Sequence, residues 1–200
     1  MLWKFEASNL LKEFELSNNP VIVTVNKFDE QAAEDFRNKF SMAQNTGQKV
    51  VPVVIDSYGG QVYSLMSMIS TIRSCPLPVA TIVEGKAMSC GAVLLTCGDE
   101  GMRFMDQDAT VMIHDVASGQ HGKNEEIQAS AAETDRLNKK IFRIMARNCG
   151  KPDDYFLEEI HKRGHADWFL EVDECKNIGL VNHARLPKLE VKIDVNIDFQ

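Results

Sequence analysis

EGKAMSCGAVLLTCG, residues 84–98, is the stretch on which the reading of this chain turns. An apolar run, 78–83, precedes it, and a second apolar run, 92–95, lies within it. The first reads as a buried strand and the second as a buried helix, with a small-residue turn over 85–91 between them. Ser89 stands at the junction, flanked by Ala87 and Gly91. A hydroxyl where a strand becomes a helix lies near free backbone N–H groups and the positive end of the helix dipole. Acyl transfer needs that environment for its oxyanion. On this stretch alone, an ordinary N-cap is the more economical reading of Ser89.

Outward from this stretch, strands and helices alternate. VIVTV at 21–25 is a β-branched strand, after the breaker Asn18-Asn19-Pro20. Asp29 caps a helix running to about Gln44, with Ala32, Phe36, Phe40 and Met42 near one face. VVPVVI at 50–55 reads as a doubly buried strand, although Pro52 argues for an edge or a bulge. A turn, DSYGGQ at 56–61, leads into a helix over 62–74. Beyond the central stretch, Phe104 and TVMIH at 110–114 are short strands, and ASGQHGK at 117–123 is a loop. The longest helical pattern runs over 124–148, with Ile127, Ala131, Leu137, Ile141, Ile144 and Met145 at helical spacing. Pro152 opens another helix to about Lys162, 164–168 is a turn, and 172–178 is a short helix. Leu180-Val181 reads as a last core strand. The tail, 191–199, alternates Val191, Ile193, Val195, Ile197 and Phe199 with polar residues, which predicts a strand with one buried face. The pattern is that of an α/β fold with a mainly parallel sheet.

The 200 residues suit a single domain, and 44% hydrophobic with 26% charged residues are globular values. A net charge of −7 argues against nucleic acid as a partner. No apolar run reaches the roughly 18 residues of a membrane span, and the N-terminus lacks a signal-peptide core. The five cysteines include no CxxC pair, so they read as reduced, mostly buried thiols of a cytoplasmic protein, with neither disulfides nor a metal site.

Two turns follow core strands, and in an open α/β sheet binding sites gather at the carboxyl ends of strands. Gly59-Gly60 supplies unobstructed backbone N–H groups, or is simply a tight turn. It lacks the Lys and Ser/Thr of a phosphate loop. The histidines available as a base for Ser89 are His114, His121, His161, His165 and His183. His114 ends an apolar strand and so lies near the two turns, whereas His121, His161 and His183 sit in polar surroundings. Asp167, beside Trp168-Phe169, is an acid that could orient the base, or a helix cap. Asp115, adjacent to His114, points the other way in an extended segment.

These residues converge on a known pattern. DSYGGQV resembles the SPGG-type turn of the Clp-family serine peptidases, the ClpP-like proteolytic subunits. GKAMSCGAVLL resembles their nucleophile segment, TVMIHDVASG their M-I-H strand end, and ADWFLEVDECKNIGLVN their acid-bearing segment. The four occur in the family's order over about 21–182. The resemblance implies a ClpP/crotonase-like fold of repeated β-β-α units, with 124–148 as a protruding handle helix through which rings pair. It implies Ser89 as nucleophile, His114 as general base, Asp167 as its orienting acid, and Gly59 with Cys90 as oxyanion-hole donors. The reaction would be hydrolysis of protein or peptide substrates by a serine endopeptidase within an oligomeric chamber, without cofactor or metal. An AAA+ unfoldase is a further implied partner, although residues 1–20 lack the family's pore-loop pattern. Tyr58 and Asp56 stand where the family has proline and asparagine, Cys90 where it often has methionine, and the tail has no family equivalent. A divergent or phage-encoded branch fits these departures. Two other readings are a crotonase-like acyl-CoA enzyme and a non-catalytic ring subunit.

Overall fold

Burial along the chain follows the pleat of a sheet covered by helices, as a computed structural model describing residues 20–189 shows. The first strand, β1 (Val23–Val25), buries Val23 and Val25 and exposes Thr24. Helix α1 (Glu30–Gln44) starts where the Asp29 carboxylate accepts the Ala32 N–H at 2.8 Å. Its buried stripe is Ala33, Phe36, Phe40 and Ala43, with the two phenylalanine rings stacked at 4.6 Å. The expected face is therefore shifted: Met42 is 58% exposed. Six residues beyond Phe36, it has turned away from the core by roughly 240°.

The other elements are β2 (Val51–Ser57), α2 (Val62–Ser74), β3 (Val79–Met88), α3 (Cys90–Leu95), β4 (Arg103–Met105), β5 (Thr110–Ile113), α4 (Asn124–Asn148), α5 (Tyr155–Lys162), β6 (Trp168–Leu170) and α6 (Val172–Ile178). The sheet order is β1-β2-β3-β5-β6, with β4 also on β3. Every pairing is parallel except β5 with β6. The α/β class and the mainly parallel sheet hold.

Several details differ from expectation. Pro52 marks neither an edge nor a bulge, since β2 is paired on both sides. Val51 donates toward β3, to Pro78 O at 2.8 Å, so the next residue's amide position faces β1. The β1 ladder starts only at Val53, and the missing N–H of Pro52 breaks no ladder bond. The register irregularity falls later, between Ile55 and Ser57.

The small-residue segment after Val83 is strand, not turn. β3 runs on to Met88 because its far edge changes partner, from β4 at Thr81–Val83 to β5 at Lys86–Met88. Leu180 and Val181 are buried without forming a strand, and the nearest pairing is the bridge of His183 to Phe104. The turn expected over 164–168 is present at 163–165, and Trp168 already begins β6. The tail 191–199 and the segment 1–19 lie outside the described residues.

Helix α4 has its expected bounds but not its full expected face. Leu137, Ile141, Phe142, Ile144, Met145 and Ala146 are buried, all in its second half. Burying a side chain such as Phe142 contributes about 1.5–3 kcal/mol. Ile127 and Ala131 in the first half are exposed.

Candidate active site

Ser89 occupies the single residue between β3 and α3. Its backbone has φ 55° and ψ −118°, a conformation that costs a non-glycine residue about 1–3 kcal/mol. Its side chain makes no capping hydrogen bond, so the ordinary N-cap reading fails. Three backbone bonds hold the strained turn. Ser89 N–H donates to Met112 O of β5 at 2.8 Å, and Ser89 O accepts from Ala92 and Val93 at 3.0 and 3.3 Å. A strained serine between strand and helix presents its hydroxyl outward at the carboxyl end of the sheet.

The glycine turn after β2 lies directly against it. A Cβ built on Gly59 would sit 2.7 Å from Ser89 Cβ and 3.2 Å from Ser89 Oγ, so only glycine fits there. A Cβ on Gly60 would meet Phe28 O at 2.4 Å. That carbonyl accepts Gln61 N–H at 2.8 Å and fixes the exit of the turn. Gly59 N–H donates to the buried Ser57 hydroxyl at 3.1 Å. On the outer side, Lys86 pairs with Asp56 at 2.7 Å and lies 4.5 Å above the Tyr58 ring. Tyr58, where the family has proline, is 74% exposed and stands clear of the Ser89 contact.

Cys90 begins α3, and its N–H is among the helix's free first-turn amides. Its buried thiol donates to Gly60 O at 3.3 Å. Burial pushes this thiol up to about 11, so it stays protonated and non-nucleophilic at neutral pH.

His114 and Asp167 each lie one residue beyond the paired ends of β5 and β6. β5 and β6 pair Val111 with Leu170, Met112 with Phe169 and Ile113 with Trp168. One further step sets position 114 opposite 167. Strand alternation gives both the face of Met112 and Phe169, away from the core face of Ile113 and Trp168. His114 is half-buried and Asp167 exposed. Met88 pairs with Met112, which puts Ser89 at the same end of the sheet. Among the described residues no hydrogen bond joins Ser89 to His114 or His114 to Asp167.

Asp115 takes the opposite face. Its carboxylate contacts His165 Nδ1 at 2.6 Å and accepts from Asn138 Nδ2 of α4 at 2.6 Å. Asn138 Oδ1 in turn accepts Val116 N–H at 3.0 Å. This bracket ties the residue after His114 to α4 and to the residue two before Asp167. His165 itself has φ 63°, directly after Gly164 at φ 65°. Ser57 and Asn138 were not legible as site residues from sequence, and His165 was legible only as one of five candidate bases. Asn138, a polar residue beside Leu137 and Ile141 on the buried face of α4, was the one available signal. His183 is not merely solvated: it stacks on Phe104 at 4.6 Å, and its Nε2 lies 2.9 Å from Gly101 O. All five cysteines are free thiols, and no helix among the described residues is long and apolar enough to cross a membrane.

Comparison with known families matches residues 7–185 to the Clp protease family. The match takes in the glycine turn, the Ser89 junction, the end of β5 and the start of β6, and it implies a serine-type peptidase. The chain belongs to the Clp protease family.

Proposed function

We propose that this protein is a serine endopeptidase in which Ser89, His114 and Asp167 act as nucleophile, general base and orienting acid. The observation that carries the reading is the strained, uncapped Ser89 turn, packed against a glycine that no other residue could replace. Ser89 Oγ attacks the scissile carbonyl while His114 takes its proton. The Cys90 N–H and the Gly59 N–H, released from Ser57, receive the oxyanion. His114 then protonates the leaving amine, and water cleaves the acyl-enzyme by the reverse sequence of proton transfers. The loop 117–123 offers main-chain hydrogen bonds to an extended substrate. Copies of the chain associate into rings, the exposed half of α4 pairs the rings, and an AAA+ unfoldase delivers protein substrates to the chamber.

Cleavage of fluorogenic peptides by the assembled protein tests this. Ser89→Ala, His114→Ala and Asp167→Asn should each lower kcat by about 10⁴-fold. Equal rates for wild type and all three variants would sink the assignment. A second reading, a ring subunit whose three residues stay unaligned, is favoured by the missing hydrogen bonds and by the Gly59 N–H held on Ser57. It predicts background cleavage by wild type at every substrate concentration. The peptidase reading instead predicts that substrate draws the three groups together.

A further inference from the structure

On the reading of Ser89 as the nucleophile, we propose that Lys86 is a positioning residue, which holds the turn bearing Gly59 in place against the serine segment. The ladder of β2 with β3 shows why a holder is needed. Pairing is unbroken from Val51 with Val79 to Ile55 with Val83, and resumes only at Ser57 with Ala87. Between those pairs β2 has Asp56 alone, whereas β3 has Glu84, Gly85 and Lys86. The other edge of β3 lapses at the same place, because β4 pairs up to Val83 and β5 from Lys86. Glu84 and Gly85 thus have no ladder partner among the described strands. A ladder broken in this way bends and twists locally. The residues beyond the break lead straight to the site, Ser57 to Gly59 and Ala87 to Ser89.

Lys86 spans the break with its side chain. Its ammonium donates to Asp56 Oδ1 at 2.7 Å and stands 4.5 Å from the centroid of the Tyr58 ring, a cation–π contact. Asp56 and Tyr58 flank Ser57, whose buried hydroxyl accepts Gly59 N–H at 3.1 Å. The peptide link from Tyr58 to Gly59 carries that N–H. A single cation therefore grips the turn on both sides of Ser57. The carboxylate is seated over the backbone of Gly85, where a Cβ would come within 3.1 Å of Asp56 Oδ1. The Lys86 side chain is 23% exposed, so the pair is screened less than one in open solvent. The turn keeps two further ties to the serine segment, the Cys90 thiol on Gly60 O and the pairing of Ser57 with Ala87. Loss of Lys86 accordingly loosens the turn without releasing it. An oxyanion donor works only within about 2.7–3.1 Å of the developing charge, so a loosened Gly59 N–H costs rate rather than fold.

Two measurements on the assembled full chain test this. The first is amide hydrogen exchange, read by mass spectrometry on peptides covering 56–61, where Gly59 and Gln61 both donate hydrogen bonds. Lys86→Met, which keeps the aliphatic stem, should speed exchange there at least about fivefold, with thermal unfolding nearly unchanged. Lys86→Arg should restore slow exchange, because a guanidinium pairs with a carboxylate and stacks on an aromatic face. If Lys86→Met does not fold, Asp56→Asn with Tyr58→Ala removes the same contacts and should speed exchange as much, once corrected for intrinsic rates. The second measurement is cleavage of a fluorogenic peptide. Lys86→Met should lower kcat about tenfold with KM little changed, and less than about twofold when Asp56→Asn and Tyr58→Ala are already present. Exchange unchanged by Lys86→Met, fast exchange that persists in Lys86→Arg, or faster exchange with undiminished kcat would each overturn the proposal. So would equal losses of kcat with and without Asp56 and Tyr58. A wild type that cleaves no peptide would sink the nucleophile reading instead, and exchange over 56–61 would then decide alone whether Lys86 holds the turn.

Discussion

Ser89 and Gly59 share one constraint, because the strained turn that lifts the serine also brings it against a backbone with no side chain. Gly59→Ala would drive a methyl to 2.7 Å from Ser89 Cβ. We expect a stability loss of about 1–3 kcal/mol, read from denaturant midpoints. Peptidase activity should fall by about 10²–10³-fold, through displacement of the serine and of an oxyanion donor. Cys90 invites the opposite expectation. Its thiol is protonated at neutral pH, so Cys90→Ala should retain covalent labelling by a fluorophosphonate, and Ser89→Ala should not transfer that label to Cys90. Mass spectrometry of the labelled peptide checks both. At this scale the sequence was informative where residue type and position coincide. Ser89 and Gly59-Gly60 could be picked out, but only the family resemblance, not the stretch itself, favoured a nucleophile over a cap. The failure of the cap reading rests on φ at one residue and on a missing hydrogen bond, and neither is a property of composition.

The ladder of β5 with β6 ends one residue short of His114 and Asp167, and it was the least legible element. Trp168–Leu170 is three residues long, too short for a period to emerge, and its partner lies more than fifty residues away. The bracket of Asp115, His165 and Asn138 holds the open end of that ladder. Asp115→Ala should lower kcat about tenfold with KM little changed, because misplacement near an active site weakens chemistry more than binding. Asp115→Asn, which keeps a carbonyl oxygen for either neighbour, should restore much of the loss. Equal kcat in both variants would assign Asp115 a purely structural role.

Helix α4 carries its own electrostatic tie. The Arg136 guanidinium, and after it the Tyr63 hydroxyl, hold the Glu133 carboxyl down at about 2. A carboxyl lowered in the fold from an ordinary 4.5 favours the fold above 4.5 and loses that contribution as pH falls toward 2. A carbon-detected NMR titration should find Glu133 titrating below the other exposed glutamates, and Arg136→Ala should return it toward 4.5.

For the whole molecule, the alternation of strand and helix was readable because β1, β2, β3 and β5 each carry an apolar run. The order of strands was not, since β3 serves β4 and then β5 along one edge, through segments distant in sequence. The exposure of the first half of α4 was implied by the family resemblance but hidden from the helical period. Ile127 and Ala131 continue the helical period of Leu137 and Ile141, and period alone does not say whether a stripe packs within its own chain. Their exposure suits contacts between copies, as proposed for the handle. Ile127→Asp should therefore halve the assembled mass in sedimentation velocity while leaving thermal unfolding of the subunit nearly unchanged. The central claim is that Ser89 is a nucleophile activated by His114, and the most direct measurement is peptide mapping of the assembled protein after reaction with a fluorophosphonate. The account predicts a single adduct on Ser89, absent from Ser89→Ala and strongly slowed in His114→Ala. An unlabelled Ser89 in the wild-type assembly, with saturating peptide substrate tried beforehand, would contradict it.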